Sequence, residues 1–432
     1  MLFRFFTVAS PKARIASGLA ANFYSQVVTV LVQLLSLPIL LSKWNIEQYG
    51  QWLMISAIPG YLVISDVGIM TAAANLMSMH QARHETAEVN RVFNSSLGAM
   101  LLLLPALALV GAVLLASSSF GLSHDQRVAL YFLLITTLLG VACSLFDAVY
   151  RPFGRYPRAA FLLTTARVFD WLGMFAGLFI GGTLTSAALG IFVGRATGFV
   201  GIFVLARRDV PQIRWNWREF DVKLVRLLLR SGIGFLSFPF GYLLTLQGMV
   251  LLVGAQMGAS MVALFSATRT LTRVLAQISD TTSRSMSPEI SALYGAGREP
   301  EATRLSNRIL WRVILLTICG ALLLTLLGPS ILQHWSHGKI HFDGTVFAFL
   351  IAGSIAAAYW QIQAVRLTAT NRHSLLATIF TLSSAFALLL TYLTEPRFGL
   401  GAAAAGTCLV DVAMVIGTTV SLKRIAVTTR RA

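Results

Sequence analysis

Apolar runs of about 20 residues recur along the whole chain, and they dictate what it can fold into. Coiled as a helix at ~1.5 Å per residue, such a run crosses the ~30 Å hydrocarbon core of a bilayer. Twelve runs fit: 19–42, 50–76, 94–116, 128–150, 159–180, 186–206, 231–253, 259–281, 309–331, 342–369, 374–393 and 399–422. Hydrophobic residues make up 56% of the sequence and charged residues 12%. That charged share is about half of what a soluble globular chain carries. The expectation is an all-α integral membrane protein with twelve transmembrane helices. Disorder, secretion and nucleic-acid binding are excluded as its business.

The net charge of +17 is then a topology signal, because the basic residues punctuate the apolar runs and do not gather on one soluble face. With the N-terminus inside, and with the inner end of the ninth run counted with its loop to residue 312, 25 of the 34 Lys and Arg residues fall in inner segments, four in outer segments and five within spans. Both termini are therefore expected in the cytoplasm. Residues 1–14 mix Arg4, Lys12 and Arg14 with Phe3, Phe5 and Phe6 and lack a separate apolar core before a small-residue cleavage site. They read as a basic lead-in on the membrane surface. The outer loops are short. The most basic inner connection, 207–230, carries seven basic residues and has six runs before it and six after. The expected division is an N-terminal lobe 1–206, a basic cytoplasmic connector 207–230 and a C-terminal lobe 231–432, a pattern common among transporters.

A charge at the bilayer centre costs roughly 2.5–3.5 kcal/mol on the insertion scale, so charges inside spans mark sites or pairs. In the eighth run Arg269, Arg273, Gln277, Asp280 and Arg284 follow at i, i+4, i+8, i+11 and i+15. On a helix they share an arc of about 80°. Arg269 and Arg273 stand one turn apart with no acid between them, and a phosphate or pyrophosphate would bridge them. The competing reading pairs them with Asp411 or Asp66 from other helices. In the first run Asn22, Gln26, Thr29, Gln33 and Ser36 form a neutral stripe, suited to a wet cavity and sugar hydroxyls or to gluing helices together. Tyr359, Gln363, Arg366 and Thr370 mark the tenth run, and Thr407, Asp411 and Thr418 the twelfth. These four stripes are expected to line one cavity, with Arg195 and Arg366 as further anion contacts. Asp66 and Asp411 are candidates for ion coupling or for balancing the arginines. Arg167 and Asp170, at i and i+3, are expected to pair along their own helix. Pro38, Pro59, Pro105 and Pro239 fall inside runs, where proline kinks a helix but is also simply frequent in membranes.

Other chemistry finds little support. Cys143, Cys319 and Cys408 are widely spaced inside apolar runs, which opposes a disulfide framework. His334, His337, His341 and Asp343 cluster in an outer loop, but Asp343 is better placed to start the next helix than to hold a metal. Phosphate-loop, zinc-protease and nucleophile-elbow motifs do not occur. No cofactor and no metal are expected.

Two stretches carry a family resemblance. Leu37-Pro38-Ile39-Leu40-Leu41, Gln48-Tyr49-Gly50-Gln51-Trp52 and Ser65-Asp66-Val67-Gly68-Ile69 form the first. The second runs from Gly258 through Leu264-Phe265-Ser266-Ala267-Thr268-Arg269 to Ser287-Pro288-Glu289-Ile290-Ser291. In order and position they resemble the polysaccharide-transport flippases of the multidrug/oligosaccharidyl-lipid/polysaccharide (MOP) exporter superfamily. The resemblance implies two six-helix bundles in a V shape, MATE-like, with alternating access. It implies export of an undecaprenyl-pyrophosphate-linked oligosaccharide across a bacterial inner membrane, for surface or exopolysaccharide assembly, with a polysaccharide polymerase or ligase as possible partner. Two rivals remain: a cation-coupled small-molecule antiporter, which five intramembrane arginines disfavour, and a membrane-embedded polymerase or ligase, which would need a large outer loop or an acid/base pair.

Overall fold

The computed structural model describes residues 11–66, 68–116, 121–233, 236–370 and 374–431, with the side chains of 11–16, 19, 65–66, 116, 217, 233, 237 and 425–431 outside the description. Most of the basic lead-in at 1–14 therefore lies outside the described residues. Every regular element among those described is helical. Among the described residues eleven stretches are long and apolar enough to cross a membrane, and they coincide with eleven of the twelve predicted runs. The remaining run lies in Ala259–Gly295, a helix of 37 residues whose Arg269, Arg273, Asp280, Arg284 and Glu289 keep it too polar to qualify on composition.

The chain forms two compact units, Met1–Trp44 with Ile58–Leu236, and Asn45–Ala57 with Ser237–Ala432. The first unit contains α1 (Pro11–Lys43), α3 (Ile69–Ala82), α4 (Thr86–Ala116), α5 (His124–Tyr150), α6 (Tyr156–Gly181), α7 (Leu184–Asp209) and α8 (Val222–Ile233). Phe93, Phe146, Tyr150 and Leu228 are buried in its core. Helices α6 and α7 meet backbone to backbone. A β-carbon on Gly173 would lie 2.1 Å from the carbonyl oxygen of Gly190, and one on Gly194 would lie 2.2 Å from that of Phe169. Small residues at this spacing are what let membrane helices approach so closely.

The basic connection after α7 is strapped onto α4. The Asn94 side chain donates to the Arg214 carbonyl at 2.9 Å and to Glu219 at 2.9 Å, and accepts from the Asn216 amide at 3.0 Å. Asn90 donates to the Gln212 carbonyl and accepts from the Arg214 amide. Asp221 accepts from Arg91 at 2.6 Å and from the Lys223 amide at 2.8 Å. Two asparagines, one turn apart on α4, thus replace the backbone partners that an irregular segment lacks.

The second unit contains Asn45 and residues 46–57 of α2 (Ile46–Gly60), then α9 (Ser237–Leu243), α10 (Met249–Met257), α11 (Ala259–Gly295), α12 (Glu299–Trp335), α13 (Gly344–Ala369), α14 (Ser374–Phe398) and α15 (Leu400–Arg431). Gly50 of the Gln-Tyr-Gly-Gln-Trp motif earns its place here, since a β-carbon on it would lie 1.8 Å from the Ala259 carbonyl oxygen. Met249, Phe265, Phe380 and Met414 are buried in the unit's core, together with Ala57.

Several local expectations are corrected. The predicted second span is not one helix: α2 stops at Gly60, a 3-10 turn covers Tyr61–Asp66, and α3 starts after Gly68, whose φ is 67°. Pro59 cannot donate in the last turn of α2, and Gly68 takes the left-handed conformation that L residues avoid. The seventh span is interrupted by a π turn at Leu244–Gly248. The inner loop expected after residue 281 is instead a continuation of α11 to Gly295, with a turn at Gly297 before α12 begins. At 37 residues each, α11 and α12 run for roughly 55 Å, well beyond the hydrocarbon core.

Candidate functional site

Within the second unit a cavity of about 300 Å³ is lined from α9, the π turn, α11, α13, α14 and α15. Helix α11 supplies Arg269, Arg273, Gln277, Asp280 and Arg284, the whole of its polar stripe. That stripe is why the helix is too polar to resemble an ordinary span. Its charges face the cavity, while Leu271 and Leu275 on the opposite side are buried.

Arg269 is half-buried and Arg273 exposed to the cavity. Arg269 donates to the Leu246 carbonyl at 3.1 Å and lies 5.2 Å from the Phe265 ring centroid. The π turn explains the first contact: inserting one residue shifts the helical register and leaves a carbonyl available to a side chain. Among the described residues no carboxylate stands within 4.0 Å of either guanidinium. Asp280 pairs instead with Arg284, at 3.1 Å. Across the cavity Asp411 accepts from the indole N–H of Trp360 at 2.9 Å and has no basic partner within 4.0 Å among the described residues. Thr407 and Cys408 of α15 line the same wall. The arrangement is a pair of fixed cations, one turn apart, with room beside them and a neutral-donor-bound acid opposite.

The other candidate residues lie elsewhere. Arg195 of α7 pairs with Asp170 of α6 at 2.5 Å, in the first unit. This corrects the expected pairing of Asp170 with Arg167: the glycine-mediated approach of α6 and α7 brings Arg195 nearer than the neighbour on the same helix. Gly140 on α5 leaves space for it, with a β-carbon there only 3.0 Å from an Arg195 nitrogen. Arg366 faces α11 and α12, donating to Thr303 at 2.9 Å and to Tyr294 at 3.3 Å, and Gln363 donates to Asn307 at 2.9 Å. Neither lines the cavity, so the tenth-span stripe does not join the eighth. Asn22, Gln26 and Gln33 belong to the first unit, where Asn22 accepts from the Tyr156 hydroxyl at 3.3 Å. The Asp66 side chain lies outside the described residues.

Among the lining residues that were not foreseen are Tyr242, Leu246, Trp360 and Gln361. Trp360 and Gln361 are one and two positions from Tyr359, which points instead at Thr419. At 100° per residue a single step of phase moves a side chain to another wall. For Leu246 it is the carbonyl, not the side chain, that meets Arg269, and no residue-type pattern announces a π turn. Asp343 caps α13, accepting from the Thr345 amide at 2.9 Å and the Val346 amide at 3.1 Å, as expected from its position.

No protein-family model matches the chain. No curated protein sequence matches it. Solved structures do. An inward-facing multidrug resistance MATE family transporter of the MOP superfamily superposes with a TM-score of 0.78 at 13% identity, over 93% of this chain and 96% of that one. The chain has the MOP-superfamily transporter fold. The lipid II flippase MurJ in an inward closed conformation gives a TM-score of 0.68 at 13% identity, covering 94% of this chain and 87% of its own. A MOP superfamily transporter from Pyrococcus furiosus, described as having a binding pocket of reverse polarity, gives 0.66 at 14% identity over 97% and 96%. These neighbours are transporters. At such identities the likeness shows the fold alone.

Proposed function

We propose that this protein is an alternating-access flippase that moves an undecaprenyl-pyrophosphate-linked oligosaccharide outward across a bacterial inner membrane. In this reading α11 supplies the twelfth span, both termini are cytoplasmic, and six spans lie on either side of the basic connector 207–230. The observation that carries it is the Arg269–Arg273 pair in the cavity of the second unit, with no carboxylate within 4.0 Å among the described residues. Two guanidiniums one turn apart repel each other, and a pyrophosphate relieves that repulsion while accepting bidentate hydrogen bonds. Gln277, farther along the stripe, meets the sugar. Asn22, Gln26 and Gln33 of α1 and Arg366 of α13 are further candidate contacts for the headgroup, while Arg195 is already matched by Asp170. An inside-negative potential favours outward movement of an anion by roughly 2.3 kcal/mol per charge per 100 mV. The fold neighbour that is a lipid II flippase supports the cargo class.

A second reading, a cation-coupled small-molecule antiporter, draws on Asp411, a cavity acid held by a neutral indole donor with no basic partner within 4.0 Å among the described residues. One experiment separates them. Flipping of a lipid-linked oligosaccharide is followed in proteoliposomes with the wild type and with Arg269→Ala/Arg273→Ala. Two charge-assisted hydrogen bonds lost together should cut the rate at least about 100-fold in the folded double variant. Unimpaired flipping moves the anion site away from α11. Absence of flipping by the wild type, under sodium and proton gradients alike, sinks the flippase reading in favour of the antiporter.

A further inference from the structure

The first unit holds a second cavity, of about 370 Å³, enclosed by α4, α5, α7 and the connector. Every side chain lining it is apolar, among them Pro105, Ala142, Phe146, Phe199, Phe203 and Trp215. Protein interiors contain few voids larger than a water molecule, because atoms facing a void lose their dispersion contacts. This one is open along α4: Leu101 on its wall is 45% exposed, and Leu102 beside it is 69% exposed. Exposed leucines of this kind on a span face hydrocarbon. The slot is therefore shaped for a hydrocarbon chain.

One end of the slot is different in kind. Trp215 closes it, edge-on to Phe203 at 5.2 Å and to Phe93 at 5.5 Å. The Arg207 guanidinium lies 5.1 Å from the ring centroids of both Phe203 and Trp215, and it is exposed. Among the described residues no carboxylate stands within 4.0 Å of it. Arg208 and Arg214 are exposed nearby in sequence. A tryptophan at the mouth, a cation stacked on it and an apolar slot behind are the three parts of an interfacial lipid site.

We propose that this slot holds an acyl chain of an anionic phospholipid, with the lipid phosphate on Arg207. The match is one of charge as well as shape. A phosphodiester carries one negative charge and meets one guanidinium, whereas a pyrophosphate would find two at Arg269 and Arg273 in the other unit. The site does not depend on what the protein transports.

The test is native mass spectrometry of the delipidated, detergent-purified protein, titrated with phosphatidylglycerol or phosphatidylethanolamine of identical acyl chains. Wild type should prefer the anionic lipid by about tenfold, because the ammonium of phosphatidylethanolamine offsets the phosphate charge beside Arg207 and phosphatidylglycerol has no such cation. Arg207→Gln should lose that preference and bind both lipids at the zwitterionic level, while Arg207→Lys keeps most of it. Ala142→Phe, which fills the slot, should weaken both lipids together. Should that variant fail to fold, Ala108→Leu fills the same slot from α4 with less bulk. Equal binding of the two lipids by wild type overturns the proposal, as does a preference that survives Arg207→Gln. Displacement of phosphatidylglycerol by undecaprenyl phosphate at equal concentration also overturns it, by reassigning the slot to an isoprenoid tail.

Discussion

The two units treat membrane charges in opposite ways. In the first, Asp170 and Arg195 pair at 2.5 Å across α6 and α7. In the second, Arg269, Arg273 and Asp411 line a cavity with no ion pair among themselves, each held by a neutral group or by none. The residue types are the same. A charge closed in by an opposite charge serves the packing of helices that could not otherwise bury it. A charge left facing a wet cavity keeps its interaction free energy for something that arrives. Exposure of the segment does not separate the two cases; the presence of a partner does.

Mutation should widen that contrast. The largest effect is expected from Asp170→Ala, which strands Arg195 against α5 and α6 and should destabilise the protein by about 3–5 kcal/mol. Replacing both partners, Asp170→Leu with Arg195→Met, should recover most of that loss, and thermal unfolding in detergent measures both. Arg269→Ala/Arg273→Ala should change stability by less than ~1 kcal/mol, because the lost bond to the Leu246 carbonyl is offset by relief of the repulsion between the two cations. A large destabilisation there would mean that the pair holds the fold and would erase the distinction between the units. The smallest effect concerns the half-buried Asp221, whose carboxyl is held below its ordinary range by the Lys223 amide and then by Arg91. A depressed folded-state pKa contributes stability above the unfolded value of about 3.9 and loses it as pH falls through the folded value. Wild type and Asp221→Asn should therefore differ by a constant small margin from about pH 5 to 8, and converge only below about pH 3.9. A margin that changes between pH 5 and 8 would assign the strap to another group.

Hydrophobic periodicity alone determined that the chain is helical and membrane-embedded, and it located eleven spans that the structure contains. It also located the α11 stripe, because five polar residues within one arc of a helix must face one direction whatever surrounds them. Periodicity says where a side chain lies on its own helix and nothing about the neighbour it meets. That is why Asp170 was expected to pair along its helix and pairs across it: the backbone approach that glycines allow between α6 and α7 is a distance between segments. The same limit separated Arg366 from the cavity and brought Trp360 into it. Breaks at Gly68 and Leu244–Gly248 were equally out of reach, since both hydrogen-bond registers suit an unbroken apolar run. The sequence determined which residues are too polar for lipid; only tertiary packing decided which were neutralised by a partner and which were left to face a cavity, because an ion pair depends on a few ångströms between helices far apart in the chain.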